Sequence, residues 1–218
     1  QIYCDFSGYS DIAIGTAKLF GIELMSNFKF PYFAKSLPQF WKRWHISLST
    51  WFRDYLYIPL GGSRRGKIIT IRNLFIVFVV SGMWHGANWT FIIWGIIHVI
   101  FYILHSFMFN NYFYKKRINS KKGFSKSFKN LIQIGLTYSI TTFSWVFFRS
   151  VNINDALGYL INTFNNFGFP NSNRGGLPFI LFLIFIEKYI HKNERDLFSL
   201  NLIRSKKIKQ LLRIIIYY

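Results

Sequence analysis

The sequence is poor in the residues on which several classes of protein depend. Its 218 residues include one cysteine, Cys4, which excludes an intrachain disulfide or a cysteine-based metal cluster; we expect it to be a small buried residue. No pair of histidines or carboxylates has the spacing of metal ligands. Charged residues make up 16% of the chain, against roughly 25% in ordinary soluble domains. The sequence therefore predicts neither a disulfide-stabilised domain nor a metal site.

Long apolar runs take the place of these residues. Apolar side chains form 51% of the chain, and 26 Phe and 7 Trp contribute much of that share. Residues 86–109 and 130–148 contain no charged side chain and are long enough to cross a bilayer as helices, whereas 68–84 and 175–190 are weaker candidates. Residues 6–25 are apolar but interrupted by charges, which favours a helix buried among others or lying along their ends. We predict an all-α, multi-pass transmembrane protein with interfacial amphipathic helices.

Basic residues lie in short clusters between these runs. The clusters at 61–67, 114–129 and 188–213 are typical of cytoplasmic loops, whereas the Asn-rich residues 151–173 carry little charge and are predicted on the opposite side. A net charge of +19 is also found in nucleic-acid-binding proteins. Here the charges are interleaved with apolar runs and do not define a groove. We therefore predict membrane lipid, and no nucleic acid, as the surrounding partner.

The first basic cluster has two interpretations. Gly61-Gly62-Ser63 lacks the G-x-x-x-x-G-K-[ST] pattern of a phosphate-binding loop, so we expect a turn. The basic residues that follow set the membrane topology and attract anionic lipid, or they bind the phosphates of coenzyme A; the first interpretation is favoured. These residues are Arg64, Arg65 and Lys67.

Residues 36–57 have the pattern of one basic amphipathic helix. Ser36 is a candidate cap and Pro38 suits the first turn. Apolar residues then recur at steps of three and four, which predicts a single apolar stripe in the headgroup plane. His45 falls at the edge of that stripe, so it faces either the protein interior or the membrane surface. The stripe consists of Trp41, Trp44, Leu48, Trp51 and Tyr55.

Two Trp-His pairs are the strongest functional signal. His45 follows Trp44, and His85 follows Trp84 between two apolar runs. A titratable imidazole at membrane depth costs free energy, so by default it marks a functional site. The alternative for His85 is a packed histidine that bonds a neighbouring helix. For His45 the alternative is an interfacial residue.

Other polar residues give weaker signals. Asp5 and Asp11 either hold a polar network or act as a cap and pair with Lys18. Arg53-Asp54 is better explained as a structural ion pair than as a catalytic element. Three further histidines are interpreted as structural or as solvated loop residues: His98, His105 and His191.

Four ordered motifs identify a family resemblance. Residues 1–15 begin with Gln1-Ile2-Tyr3-Cys4-Asp5-Phe6-Ser7-Gly8-Tyr9-Ser10-Asp11, residues 38–49 contain Trp41-Lys42-Arg43-Trp44-His45, residues 52–62 contain Arg53-Asp54-Tyr55, and residues 81–88 contain Trp84-His85-Gly86. Together they resemble the membrane-bound O-acyltransferase family, and within it the bacterial branch that acetylates alginate and cell-wall glycans. The resemblance is strong over residues 1–110 and weak over 111–218.

The resemblance implies a helical transferase of the bacterial cytoplasmic membrane with a deep funnel. The family's near-invariant histidine maps onto His85, and the second histidine of this branch maps onto His45. The family's N-terminal half has no counterpart here. We therefore expect residues 1–218 to be one membrane domain from the C-terminal part of a longer chain, with its motifs in 1–110 and further transmembrane helices in 111–218. Candidate substrate-binding residues are Trp84, Asn88, Trp44, Arg43, Asp54, Asp5 and Asp11.

These residues suit acyl transfer to a hydroxyl. Neutral imidazole is the usual base near pH 7, so His85 would take the proton of a polysaccharide hydroxyl as it attacks a thioester, with acetyl-CoA as the expected donor and no bound cofactor. The oxyanion would receive a hydrogen bond from Trp84, Trp89, Asn88 or the Gly86 N–H. A second acid-base role, or the orientation of His85, falls to His45. Transfer would be direct or pass through a periplasmic relay protein.

Three other functions remain open from the sequence. A D-alanyl transferase to teichoic acid would use a carrier-protein thioester. A non-catalytic membrane component of glycan export would not need His85. A polybasic lipid-binding protein would depend on its basic cluster more than on either histidine.

Overall fold

The described part of the chain is helical. A computed structural model describes residues 2–116, 124–166 and 184, and within them the only β-type pairing is one isolated bridge between Phe28 and Trp44. The chain divides into two compact units, Gln1–Phe167 and Gly168–Tyr218, and every element named below lies in the first. The elements are α1 (Ile2–Leu19), a 3-10 turn (Pro31–Phe33), α2 (Leu37–Trp41), α3 (Ile46–Phe52), a π-helical turn (Arg53–Tyr57), α4 (Lys67–His85), α5 (Trp89–Lys116), α6 (Phe124–Arg149) and α7 (Ile153–Asn165).

Two described helices are long and apolar enough to cross a membrane. They are Lys67–His85, with a mean hydropathy of 1.5, and Phe128–Arg149, with 1.3. The first contains the run 68–84, which the sequence marked as weak, and the second contains 130–148. The run 86–109 begins as a helix only at Trp89. Multi-pass topology stays a prediction, and the predicted span 175–190 and loop 188–213 lie outside the described residues, apart from residue 184.

Arg72 and Asn73 do not interrupt α4. Asn73 is fully buried, and its Nδ2 donates to the carbonyls of Leu60 at 3.2 Å and Gly62 at 3.0 Å. Arg72 donates to Asn73 Oδ1 at 2.9 Å. A buried amide is tolerated when its hydrogen bonds are made, so Asn73 holds the predicted 61–63 turn against the start of the helix.

The first helix is shorter than the predicted 6–25 segment. It ends at Leu19 because Gly21, at φ 73°, enters the left-handed region that a glycine adopts without a Cβ penalty. The Gly21 N–H donates to Lys18 O at 3.1 Å and the Ile22 N–H to Ala17 O at 3.0 Å, which is the Schellman pattern of helix termination. The expectation that Cys4 is buried is wrong, because it lies on the exposed face of α1.

The prediction of one continuous helix over 36–57 is wrong. Ser36 does cap α2, accepting the Gln39 N–H at 3.2 Å, but the helix ends at Trp41 and α3 starts at Ile46. Four residues separate the two helices, and the last of them, His45, has a left-handed backbone with φ 45°. The predicted stripe is therefore divided: Trp44 is 5% exposed in the core, whereas Trp51 is 52% exposed.

The described part of the predicted segment 151–173, residues 151–166, is mostly helical. Asn152 accepts the Asp155 N–H at 2.8 Å and caps α7, which covers Ile153–Asn165. Ala156 of this helix is fully buried against Trp94 and Phe147. The asparagine content of this segment suggests a loop, but Asn152 serves as the N-cap of a helix, which is a position that asparagine favours.

Helices α4 and α5 cross at two glycines that leave no room for a side chain. A Cβ at Gly82 would lie 2.4 Å from the Phe91 carbonyl oxygen, and one at Gly95 would lie 2.4 Å from that of Phe78. Small residues allow this close backbone approach, which is typical of helix pairs in membranes. The crossing fixes the end of α4, and therefore His85, against α5.

Gly95→Ala is expected to lower the free energy of unfolding by about 1–3 kcal/mol, because the added methyl group meets a backbone atom that cannot move alone. The matched control is Gly135→Ala in α6, where a Cβ would have nothing within 4 Å. Thermal unfolding in detergent measures both variants. Equal melting temperatures for the two would contradict the close crossing.

Candidate active site

His85 is the last residue of α4. Its half-buried imidazole lies among aromatic rings, with ring centroids 4.9 Å from Phe148, 5.3 Å from Trp94 and 5.0 Å from Trp84. The chain turns at Gly86, where a Cβ would lie 2.7 Å from the ring of Phe91. Helices α4, α5 and α6 thus each contribute a wall around this imidazole.

His45 lies at the break between α2 and α3. Its half-buried ring is 4.6 Å from Phe6 of α1 and 6.5 Å from Trp84, measured between centroids. Its Nδ1 is buried and has no hydrogen-bond partner among the described residues. Burial, and secondarily the charge of His85, lower the pKa of His45 to about 4. At pH 7 this imidazole is therefore neutral.

Trp84 connects the two histidines. Its ring centroid lies 5.0 Å from that of His85 and 6.5 Å from that of His45, and 59% of the residue is exposed. The sequence could not show whether the histidines lie close together, because they come from different elements. The structure brings both next to Trp84, whose exposed indole is a surface on which a substrate ring can stack.

Asn88 is engaged in structural contacts. Its Nδ2 donates to the Val151 carbonyl at 2.7 Å, and its Oδ1 accepts the Thr90 N–H at 3.1 Å. The first bond ties the α4–α5 turn to the residues before α7, and the second caps α5. The Gly86 N–H donates to Met83 O at 3.2 Å. Two of the four predicted oxyanion donors are thus committed to the fold in this structure, while Trp84 and Trp89 are exposed.

The other predicted substrate-binding residues lie outside this centre. Asp54 is exposed and pairs with Arg53 at 2.7 Å, as the ion-pair interpretation predicted. Asp5 and Asp11 are exposed on α1. Binding roles for these residues stay predictions.

Two motif residues beside His45 serve the fold. Trp44 is a core residue that stacks on Phe40 at 5.5 Å. Arg43 reaches the Phe30 carbonyl at 3.4 Å, and burial lowers the pKa of its guanidinium. Both contacts fix the segment that precedes His45.

His98 forms a buried polar contact behind the centre. It is fully buried, and its Nε2 lies 2.8 Å from the Ser144 Oγ of α6. Trp94 stands between it and His85, at 5.0 Å and 5.3 Å from the two rings. This arrangement agrees with the structural interpretation of His98. The sequence analysis missed Trp94 and Phe148 as walls of the centre, since an aromatic residue in an aromatic-rich helix carries no distinguishing signal.

A cavity of about 390 Å³ lies close to this region, although His45, Trp84 and His85 are not part of its lining. It opens between the α2–α3 segment and helices α4 and α5, and Ser81 of its lining lies one helical turn before His85. Most of its wall is apolar, with contributions from Trp41, Val77 and Phe78. Two cations, Lys42 and Arg53, also belong to the lining.

Comparison with known proteins identifies the family of the chain. The profile of the membrane-bound O-acyltransferase (MBOAT) family matches residues 1–145. The chain is 47% identical over 168 residues to the probable alginate O-acetylase AlgI of Pseudomonas syringae pv. tomato, covering 77% of this chain and 30% of that protein. It is 42% identical over 160 residues to the peptidoglycan O-acetyltransferase of Helicobacter pylori, covering 73% and 29%.

A second group of relatives is less similar. The teichoic acid D-alanyltransferase of Streptococcus thermophilus is 35% identical over 129 residues, covering 56% of this chain and 30% of that protein. The chain thus spans about 30% of the length of these three relatives. The matched residues include both Trp-His pairs and the helices that bring them together. The chain therefore belongs to the membrane-bound O-acyltransferase family, in the branch of the alginate and cell-wall O-acetyltransferases.

Proposed function

We propose that the protein transfers an acetyl group from acetyl-CoA on the cytoplasmic side to a hydroxyl of an extracytoplasmic polysaccharide, with His85 and His45 at the reacting centre. The observation that carries the proposal is the meeting of the two histidines at Trp84, inside a cluster of aromatic rings. The alginate and peptidoglycan O-acetyltransferase relatives support acetyl as the group transferred. The bacterial cytoplasmic membrane is the proposed location.

The proposed reaction needs one proton acceptor and one leaving group. Neutral His85 takes the proton of the acceptor hydroxyl as that oxygen bonds to the thioester carbon. The carbon–sulfur bond then breaks, and the thiolate leaves as a thiol by taking the proton that His85 accepted from the hydroxyl. Neutral His45, whose ring also lies against Trp84, orients these groups or passes the proton between them. The aromatic walls keep water from competing with the acceptor.

The cavity suits the donor arm. Its apolar wall matches a flexible acyl-pantetheine chain, and Lys42 provides a charge that pairs with phosphate, whereas Arg53 is paired with Asp54 at 2.7 Å. Ser81 places one part of the cavity next to the His85 turn. Ile46, the neighbour of His45, also lines the cavity, so we propose that the thioester end of the donor lies at this part of it.

Filling this cavity is expected to weaken donor binding. Val77→Trp adds a large side chain to the lining and should raise the KM for acetyl-CoA by ~10-fold or more, since a bulky group occupies volume that the donor needs. Val80→Trp, at an exposed position three residues along α4, is the matched control and should leave KM unchanged. Initial rates in membrane vesicles at varied acetyl-CoA provide the measurement. Equal KM values for both variants would contradict donor binding in this cavity.

The acceptor side is open to two routes. The exposed indole of Trp84 offers a stacking face for a sugar ring of the polysaccharide, and the same face would equally receive the hydroxyl of a periplasmic relay protein. Adding purified polysaccharide to vesicles that lack periplasmic proteins distinguishes these routes. Direct transfer predicts labelled polysaccharide, and a relay predicts label only after the periplasmic fraction is restored.

One relative, the teichoic acid D-alanyltransferase, supports an alternative donor, but its identity to this chain is lower than that of the O-acetyltransferases. A D-alanyl transferase would need the thioester of a carrier protein and would not use free acetyl-CoA. Supplying each donor separately to the same vesicles separates the two functions. A non-catalytic role in glycan export predicts transfer from neither.

A further inference from the structure

His45 is held in a conformation that an isolated chain would rarely adopt. Its backbone lies in the left-handed region, with φ 45° and ψ 55°, although it carries a full side chain. It also stands at the N-cap position of α3 and makes no side-chain capping bond. Non-glycine residues persist in such conformations only where surrounding contacts determine them. Something else must therefore hold this turn and cap the helix.

The loop before α2 provides the backbone part of that support. The Lys29 N–H donates to the Arg43 carbonyl at 3.0 Å, and the Ile46 N–H donates to the Asn27 carbonyl at 3.1 Å. These two bonds lie on either side of His45 in the sequence. The segment that contains Trp44 and His45 is thus fixed at both ends against the loop.

The side chain of Asn27 provides the missing cap. Its Oδ1 accepts the Ser47 N–H at 3.1 Å and the Ser47 hydroxyl at 2.6 Å. Ser47 is the second residue of α3, and its N–H is one of the groups that a helix start leaves unsatisfied. N-cap side chains usually satisfy such groups from within the helix's own first residues. Here a residue 20 positions away does so, and the His45 imidazole is left out of the capping.

The same side chain also reaches the first helix. Asn27 Nδ2 donates to the Ser10 Oγ at 3.3 Å, and Ser10 is 4% exposed. One turn earlier on α1, Phe6 lies 4.6 Å from the His45 ring. Asn27 thus ties together the helix that forms one wall of the His45 site and the helix that His45 begins.

We propose that Asn27 is a positioning residue for His45: it caps α3 in place of the histidine, and so leaves the imidazole directed towards Trp84 and His85. This inference deepens the proposed acetyl transfer and rests on it. Asn27 does not itself line the cavity, but the Ile46 N–H that its carbonyl accepts belongs to a lining residue. An effect that passes through His45 therefore changes kcat, whereas an effect that passes through the cavity changes the KM for the donor.

A double-mutant cycle tests this dependence. Asn27→Ala is expected to lower kcat by ~10²-fold with little change in KM, the cost of misplacing a reacting group by about 1 Å. In a His45→Gln background the same substitution should cost no further activity. Asn27→Asp keeps the oxygen that Ser47 uses and should recover much of the lost rate. Ser26→Ala, in the same loop, removes only a hydroxyl that bonds within the loop and serves as the control.

The outcomes separate this inference from the proposed function. Two results would overturn the positioning role alone. In the first, Asn27→Ala lowers the rate as much in the His45→Gln background as it does in the wild-type protein. In the second, Asn27→Ala keeps the wild-type rate although His45→Gln is impaired. A wild-type rate for His45→Gln would overturn the catalytic role of His45, and Asn27 would then have no reacting group to position. Melting temperatures of all variants, measured in detergent, show whether a lost rate reflects loss of fold; recovery by Asn27→Asp supports the proposal where Asn27→Ala fails to fold.

Discussion

His85→Gln is expected to reduce acetyl transfer by ~10²–10⁴-fold, the contribution usual for a positioned general base. Glutamine keeps a polar side chain of similar reach but cannot take a proton at neutral pH. Three aromatic rings, from Phe148, Trp94 and Trp84, pack around the imidazole and hold it in place. The measurement is the initial rate of transfer at saturating acetyl-CoA in membrane vesicles.

The matched control is another histidine of the same membrane region. His105 lies on α5, seven residues beyond His98, and His105→Gln should keep the wild-type rate at equal protein level. A His85→Gln variant with the wild-type rate and melting temperature would refute the assignment of the base. A parallel loss in His105→Gln would show that the assay reports general damage to the membrane domain.

His45→Gln is expected to lower kcat by ~10²-fold, at the lower end of the range for acid-base groups, because His85 remains to take the hydroxyl proton. The neutral state of His45 at pH 7 follows from its burial, which lowers its pKa to about 4. A neutral imidazole can relay a proton, whereas a glutamine can only hold a hydrogen bond. Single-turnover kinetics distinguish this effect on the chemical step from an effect on donor binding.

His98 offers a contrast to His45. Its imidazole is fully buried and bonded to Ser144 at 2.8 Å. His98→Gln should therefore lower the melting temperature strongly and kcat only slightly. The opposite pattern is expected for His45→Gln, with a large kcat effect and a small stability effect. If the two variants had the same ratio of rate loss to stability loss, the distinction between reacting and structural histidines would fail.

The helical class could be predicted from the sequence, whereas the break at His45 could not. Apolar residues over 36–57 recur at helical steps, and that periodicity is the same whether or not the helix breaks at one residue with a left-handed backbone. The break is held by tertiary hydrogen bonds to Asn27, which lies outside the periodic segment. The pattern of the segment itself does not reveal such a partner.

Asn88 illustrates a second limit. An amide next to a catalytic motif can stabilise an oxyanion or hold two loops together, and its chemistry is the same in both roles. The structure shows both of its polar atoms in bonds to Val151 and Thr90. Only the position of the α6–α7 connection, 63 residues away, decides between the two uses. The Asn152 cap of α7 was missed for a related reason, because asparagine favours loops and helix starts alike.

The measurement that tests the central claim most directly is transfer of labelled acetyl from acetyl-CoA, supplied at the cytoplasmic face of membrane vesicles that contain the protein, to polysaccharide on the other side. The expected result is a base-labile ester label on the polysaccharide with wild-type protein, and its loss with His85→Gln at equal protein level. A label of equal size in both preparations, or no label from acetyl-CoA alongside transfer from a D-alanyl carrier thioester, would contradict it.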